Sequence, residues 1–217
     1  MITSKLEDRY VEVLHTKLRE KSWVYKTIYE LRNSWKDEDV YVVGSGASLD
    51  YIPTSFFDNK KVIGVNSVYH RFRCDYTVTF HTTDLNNQPF IQQIIDDGQI
   101  VITTKRECGC GTKLNDYKGN YYIFENVKNK GHSIDLSVLD SKESLVVGGT
   151  IAVSAIHLAY YLGAKTIMLC GMDCGELDNS LNFDGYNSSL RQKIGKKYER
   201  NYETSYLLWN KQITELT

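Results

Sequence analysis

Val40-Tyr41-Val42-Val43-Gly44-Ser45-Gly46-Ala47-Ser48-Leu49 is the stretch from which the fold can be read. Three of its first four residues are valines, and no polar residue alternates with them. Such a run makes a short strand that needs cover on both faces. It stops at a glycine. The two glycines let the chain turn tightly and bring backbone close to a ligand with no Cβ in the way. Where a strand passes through such a turn into a helix start, the outward amide N–H groups favour an anion such as phosphate. Gly44, Ser45, Gly46, Ala47 and Ser48 are therefore candidate ligand-binding residues. The competing reading is a tight strand-to-helix turn with no ligand. Leu49 stands where a dinucleotide fingerprint has its third glycine, and Asn66, 20 residues beyond Gly46, stands in place of the ribose-binding carboxylate. Asn66 can still hydrogen-bond a base or ribose.

Similar apolar runs follow at 62–65, 76–80, 100–102, 121–124 and 166–170, with helical patterns at 85–97 and 150–162. This alternation predicts an α/β fold with a doubly wound, mostly parallel sheet. Before the first strand, Leu6, Tyr10, Val13, Leu14 and Leu18 recur at helical spacing, and Val24, Ile28, Leu31 and Trp35 resume it. The spacing predicts a long N-terminal helical segment over 4–35, with a break near Lys21-Ser22, so that residues 1–36 form a helical extension. Polar stretches at 107–119 and 175–189 read as loops, the second as a functional lid. A last helix is expected over 201–216, with Tyr202, Tyr206, Trp209 and Ile213 as its apolar stripe and no strand after it. The only prolines are Pro53 and Pro89, and no linker, repeat or low-complexity segment appears, so residues 1–217 are expected to form a single domain.

Hydrophobic residues make up 41% of the 217 and charged residues 24%, an ordinary globular balance. A formal net charge of −1 gives no global field that would pull the chain onto nucleic acid or an anionic membrane. No stretch reaches the roughly 18 uncharged apolar residues of a membrane span, and the N-terminus lacks the apolar core of a secretory signal. Five scattered cysteines make a poor disulfide framework and fit a reducing compartment, so a cytoplasmic location is expected. Cys108 and Cys110 have one residue between them and no second pair nearby, and even with His132 they do not read as a zinc site. No resident metal is expected.

Chemistry-bearing residues gather where the predicted strands end, which in a parallel sheet is one shared edge. After the third run comes His81-Thr82-Thr83-Asp84. His81 reads as a general base or as a loop hydrogen-bonding residue, Asp84 as a helix cap or a metal holder, and Thr82 stands beside them. Gly148, Gly149 and Thr150 open the 150–162 helix and read either as a second anion turn or as a plain N-cap. Asp173, after the last strand, can orient a substrate hydroxyl, help to hold Mg²⁺, or simply serve the turn. His157, mid-helix among Ile156, Leu158 and Ala159, reads as a packed structural histidine. Arg191, Lys193, Lys196, Lys197 and Arg200 form a basic cluster that is either a solvated helix face or a neutraliser of ligand phosphate.

Taken together, these blocks carry a resemblance. The 41–49 stretch, with Gly44-x-Gly46-x-Ser48-Leu49, resembles the opening of bacterial sialyltransferases that use CMP-sialic acid. It equally resembles the related motility-accessory-factor and 6-hydroxymethylpterin pyrophosphokinase-like proteins. Residues 149–155 and 162–167, ending Gly171-Met172-Asp173, resemble their second shared block. The resemblance implies a Rossmann-like domain with a nucleotide lying across Gly44, Gly46, Ser48, Asn66 and the Gly149-Thr150 turn. It implies a glycosyltransferase-like enzyme moving a sugar from a CMP-type nucleotide donor to an acceptor hydroxyl, with His81 or Asp173 as base. The general base of those sialyltransferases is a histidine beyond the second block, and this chain has no histidine after His157. The alternatives are diphosphate transfer from ATP with Mg²⁺ to a pterin-like alcohol, with Asp84 and Asp173 as metal holders, and a nucleotide-binding protein without catalysis. A small-molecule nucleotide is the expected partner; the acceptor and the oligomeric state are not legible.

Overall fold

In a computed structural model the protein is described over residues 26–80, 90–104, 119–128, 139, 141–148, 150–180, 182–184 and 211. Among the described residues there are eight strands: β1 (Lys26–Thr27), β2 (Asp39–Val43), β3 (Lys61–Val65), β4 (Tyr76–Val78), β5 (Val101–Thr104), β6 (Tyr121–Lys128), β7 (Ser144–Val147) and β8 (Thr166–Cys170). They are joined in the order β1-β6-β5-β4-β3-β2-β8, with β7 pairing the end of β6. Every pairing is parallel. Among the described residues there are two α-helices, α1 (Phe90–Asp96) and α2 (Ile151–Tyr161). The doubly wound α/β architecture is thus present, and the reason is visible in burial. Val40, Val42, Val43, Ile63, Val101 and Ile102 are all 0% exposed, as strands covered on both faces require.

Strand order decides where a ligand can sit. From β2 the chain steps outward through β3, β4, β5 and β6, then returns to place β8 on the other side of β2. Val40 stands opposite Lys61 of β3 and Ile167 of β8. The winding direction therefore reverses between β2 and β8, and open α/β sheets bind ligands outside the carboxyl ends of strands at such a reversal.

α2 is buried nearly all round, with Tyr160 its exposed residue, because β2, β3 and β7 all pack on it. Thr150 caps it, accepting a hydrogen bond from the Ala152 amide through Oγ1 (3.4 Å). At its other end the carbonyls of Tyr161, Leu162 and Gly163 take hydrogen bonds from the amides of Asn33, Trp35 and Asp37.

That contact explains a departure from expectation. Within 26–35 the long N-terminal helix is absent: Lys26–Thr27 is a strand beside Tyr122 and Ile123, and Ile28–Leu31 is a 3-10 turn. Ile28, Leu31 and Trp35 are buried, so the apolar spacing was a true core signal attached to the wrong element. Asn33 takes a left-handed φ of 57° so that its neighbours' amides can satisfy the end of α2, which a continuous helix could not do. Residues 4–25 and most of the 201–216 segment and of the 107–119 loop lie outside the described residues. A second departure follows β2, where the chain makes two 3-10 turns, Ala47–Tyr51 and Thr54–Phe57, instead of an α-helix. Pro53 separates them, and Phe56 and Phe57 stack edge-on against Tyr41.

Candidate functional site at the β2–β8 rim

The ladder between β2 and β8 continues past the strand ends. The Gly44 amide donates to Cys170 O and the Gly46 amide to Gly171 O, both at 2.8 Å. Gly171 turns the chain with φ of 63°, and a side chain there would strike Leu49. The turn delivers Asp173 onto the glycine stretch. Its Oδ2 accepts from the Ser48 amide (2.8 Å) and its Oδ1 from the Ser48 hydroxyl (2.5 Å). A Cβ on Gly46 would lie 2.5 Å from the Asp173 carboxyl carbon, so the second glycine is needed for the protein's own carboxylate to approach. Because a 3-10 turn and not an α-helix follows, these amides act singly, without a long helix dipole behind them.

Beyond Asp173 the chain folds back over the turn as a strap, described at residues 174–180 and 182–184. The Ser45 hydroxyl donates to Asn182 Oδ1 (3.2 Å) and the Phe183 amide to Ser45 O (3.1 Å). The Tyr51 hydroxyl donates to Asp178. The Asp184 amide donates to both oxygens of Asp50 (3.0 Å each), and Arg71 Nη1 reaches the same carboxylate at 2.5 Å. Segments 44–51 and 171–184 carry Asp50, Asp173, Glu176, Asp178 and Asp184 but no lysine or arginine. This rim is therefore acidic, with Arg71 its cation from outside. The neighbouring carboxylate of Asp178 holds the Tyr51 phenol above its ordinary pKa, chiefly through their hydrogen bond. Burial pushes the Cys170 thiol up, and burial followed by the charge of Asp173 does the same to Cys174, so neither thiol is poised as a thiolate nucleophile.

Asn66 stands at the tip of β3 with φ of 50°, an uncommon conformation for a residue with a side chain. Its Oδ1 accepts from the Thr79 hydroxyl at the tip of β4 (3.0 Å), which fixes the amide group with its N–H donors as the groups it can offer. Of the expected site residues, the structure brings Gly44, Ser45, Gly46, Ala47, Ser48 and Asp173 together, with Asn66 on the adjoining strand tip. Gly148 ends β7, and Thr150 spends its hydroxyl as a helix cap. His81, Thr82, Asp84, Gly149 and the 191–200 basic cluster lie outside the described residues. Sequence reasoning missed Asp50, Arg71 and Tyr51. The only signal for them was the Asn- and Asp-rich 175–189 stretch, which marked a covering loop but not what it covers.

A parallel sheet whose winding reverses at a glycine turn, with an aspartate delivered from the facing strand, defines a Rossmann-like domain with its site at the strand tips. Residues 16–179 match the family described as 6-hydroxymethylpterin diphosphokinase MptE-like, and the chain belongs to that family. No curated protein matches it. Among solved structures it is similar to the MAf glycosyltransferase from Magnetospirillum magneticum AMB-1, at 16% identity and a TM-score of 0.47, over 75% of this chain. The match spans 27% of that longer protein. The membership supports the pterin-kinase-like side of the expected resemblance. No helix among the described residues is long and apolar enough to cross a membrane.

Proposed function

We propose that this protein is a nucleotide-dependent transferase, and that its reaction is diphosphate transfer from ATP to the hydroxymethyl group of a pterin-like alcohol. The observation that carries this reading is the Asp173 carboxylate seated on the Gly44–Ser48 turn at the reversal point of the sheet. The ligand would lie there, with Asn66 offering N–H donors to the nucleoside and the glycine turn lying along the phosphates. Five carboxylates in the turn and strap disfavour a bare phosphate chain and favour one that arrives partly neutralised.

Among the described residues no group of three or more His, Cys, Asp or Glu side chains could hold a metal ion. Mg²⁺, however, is commonly bound by one or two carboxylates together with substrate phosphates. Asp173 fits that role: it is exposed, and each of its oxygens takes one hydrogen bond from Ser48, leaving lone pairs. When bound, the ion would neutralise charge on the phosphate oxygens. The protein's own part is positioning: the turn fixes the donor, and His81 accepts the alcohol proton as its oxygen forms the new bond to phosphorus and AMP leaves.

Thermal-shift measurement with ATP, CMP, CDP, UDP and GDP, each with and without Mg²⁺, tests the reading. At a ligand concentration near a hundred times Kd, ATP with Mg²⁺ should raise the Tm by roughly 5–10 °C, and ATP alone by much less. Stabilisation by CMP without the cation would instead select sugar transfer from a CMP-type donor, with Asp173 as base toward the acceptor hydroxyl. No response to any nucleotide would end both.

A further inference from the structure

One side chain joins three parts of the rim. Arg71 follows the 3-10 turn Asn66–His70, on the β3–β4 connection. Its Nη1 binds the Asp50 carboxylate on the glycine-turn side (2.5 Å) and the carbonyl of Asp184 on the strap (3.4 Å). Its guanidinium lies 5.4 Å from the Phe72 ring and 5.7 Å from the Phe183 ring, so it is stacked as well as paired. Phe183 is 3% exposed, wedged where its amide reaches Ser45 O. The strap is otherwise built from strained, polar chain: Cys174, Asp178 and Asn179 all have left-handed φ, at 52°, 52° and 61°. Contacts to Tyr51 and Ser45 hold it along its length, and Arg71 and Asp50 supply the distal one.

We propose that Arg71 is a positioning residue: paired with Asp50, it latches the strap closed over the glycine turn, so that a ligand anion reaches the turn only when the strap opens. Release of the latch and entry of an anion are then coupled. The anion is the polyphosphate of a nucleotide, and in naming it the proposal rests on the transferase reading; the latch itself does not.

Hydrogen exchange on the full chain, followed by mass spectrometry without any ligand, tests the latch first. In Arg71→Gln the strap peptides and the Ser48 peptide should exchange at least about tenfold faster, while peptides from β2, β3 and α2 keep their rates. Asp50→Asn, which weakens the same pair from the other side, should give the same local pattern. Arg71→Lys, a point charge without the planar fork, should fall between. Unchanged strap exchange overturns the latch, and so does an equal acceleration throughout the sheet, which would mark Arg71 as ordinary structural support.

The second measurement is the association rate of ATP with Mg²⁺. A latch predicts that Arg71→Gln binds at least about threefold faster than the parent protein, whereas a residue that merely supports the fold, or one that contacts the phosphates, predicts slower or weaker binding. If neither protein binds ATP, the nucleotide reading fails while the ligand-free exchange still decides the latch.

Discussion

Gly46 is a position at which space, rather than backbone angle, requires glycine. Its φ of −66° suits any residue, yet a Cβ would enter the Asp173 carboxylate. Gly46→Val should therefore expel Asp173 and lower nucleotide affinity by at least about tenfold, a larger loss than His81→Ala produces, as read by calorimetric titration. Ser48→Ala removes one of the two hydrogen bonds to Asp173 and should lower unfolding free energy by about 1 kcal/mol in urea. Gly46, Ser48 and Asp173 are each legible in the sequence as candidates, because a glycine turn after one strand and an acid after another fall on the edge where a parallel sheet takes ligands. Their contact is not legible, since Ser48 and Asp173 are 125 residues apart and meet only through the pairing of β2 with β8. Arg71 and Asp50 left no sequence signal beyond the covering loop at 175–189. Nothing in a lone arginine or aspartate names its partner.

The helix α2 and its neighbours show how interior polar groups fix the layers. His157 is 1% exposed; its Nδ1 accepts from the Val146 amide (2.8 Å), which leaves the proton on Nε2, 3.3 Å from Leu139 O. Ser154 donates to Val146 O (2.7 Å), so both backbone groups of one β7 residue are satisfied by α2. The structural reading of this histidine follows from its apolar neighbours and agrees with its place. His157→Ala should cost about 2–4 kcal/mol in urea unfolding, since it strands a buried amide and opens a cavity.

Between β3 and β4, Cys74 lies against Gly64, and burial first, then the charge of Asp75, push its thiol up to about 12. The folded state thus favours the neutral thiol. Its contribution is intact below the ordinary cysteine value near 9 and is lost as pH rises from there toward 12. Urea midpoints should fall over that window, and the fall should be smaller in Cys74→Ala, a comparison within one experiment. Strands β1 and β7 went unforeseen because two and four residues carry too little pattern to register; pairing with β6, not local preference, makes them strands.

The molecule as a whole was the most legible part. Unbroken β-branched runs separated by helical patterns have one economical solution, a parallel sheet with cover on both faces. What composition cannot convey is the strand order, and it is the order, with β8 returning beside β2, that puts Gly46 and Asp173 at one point. The response to ATP with Mg²⁺ belongs to this level, because the ligand would bridge segments that share no local sequence.

That return has a kinetic cost. Val40 cannot meet Ile167 until nearly the whole described chain has been arranged between them. Parallel pairings at such separation raise contact order, and loop closure must precede any reward from the contact. During refolding from urea, secondary structure around β3, β4 and β5 should therefore mature before the molecule regains any capacity to capture its ligand. On the ribosome, too, the rim can close only after the strap has emerged, so a stalled chain ending before Asp173 would carry most of the sheet and an open rim.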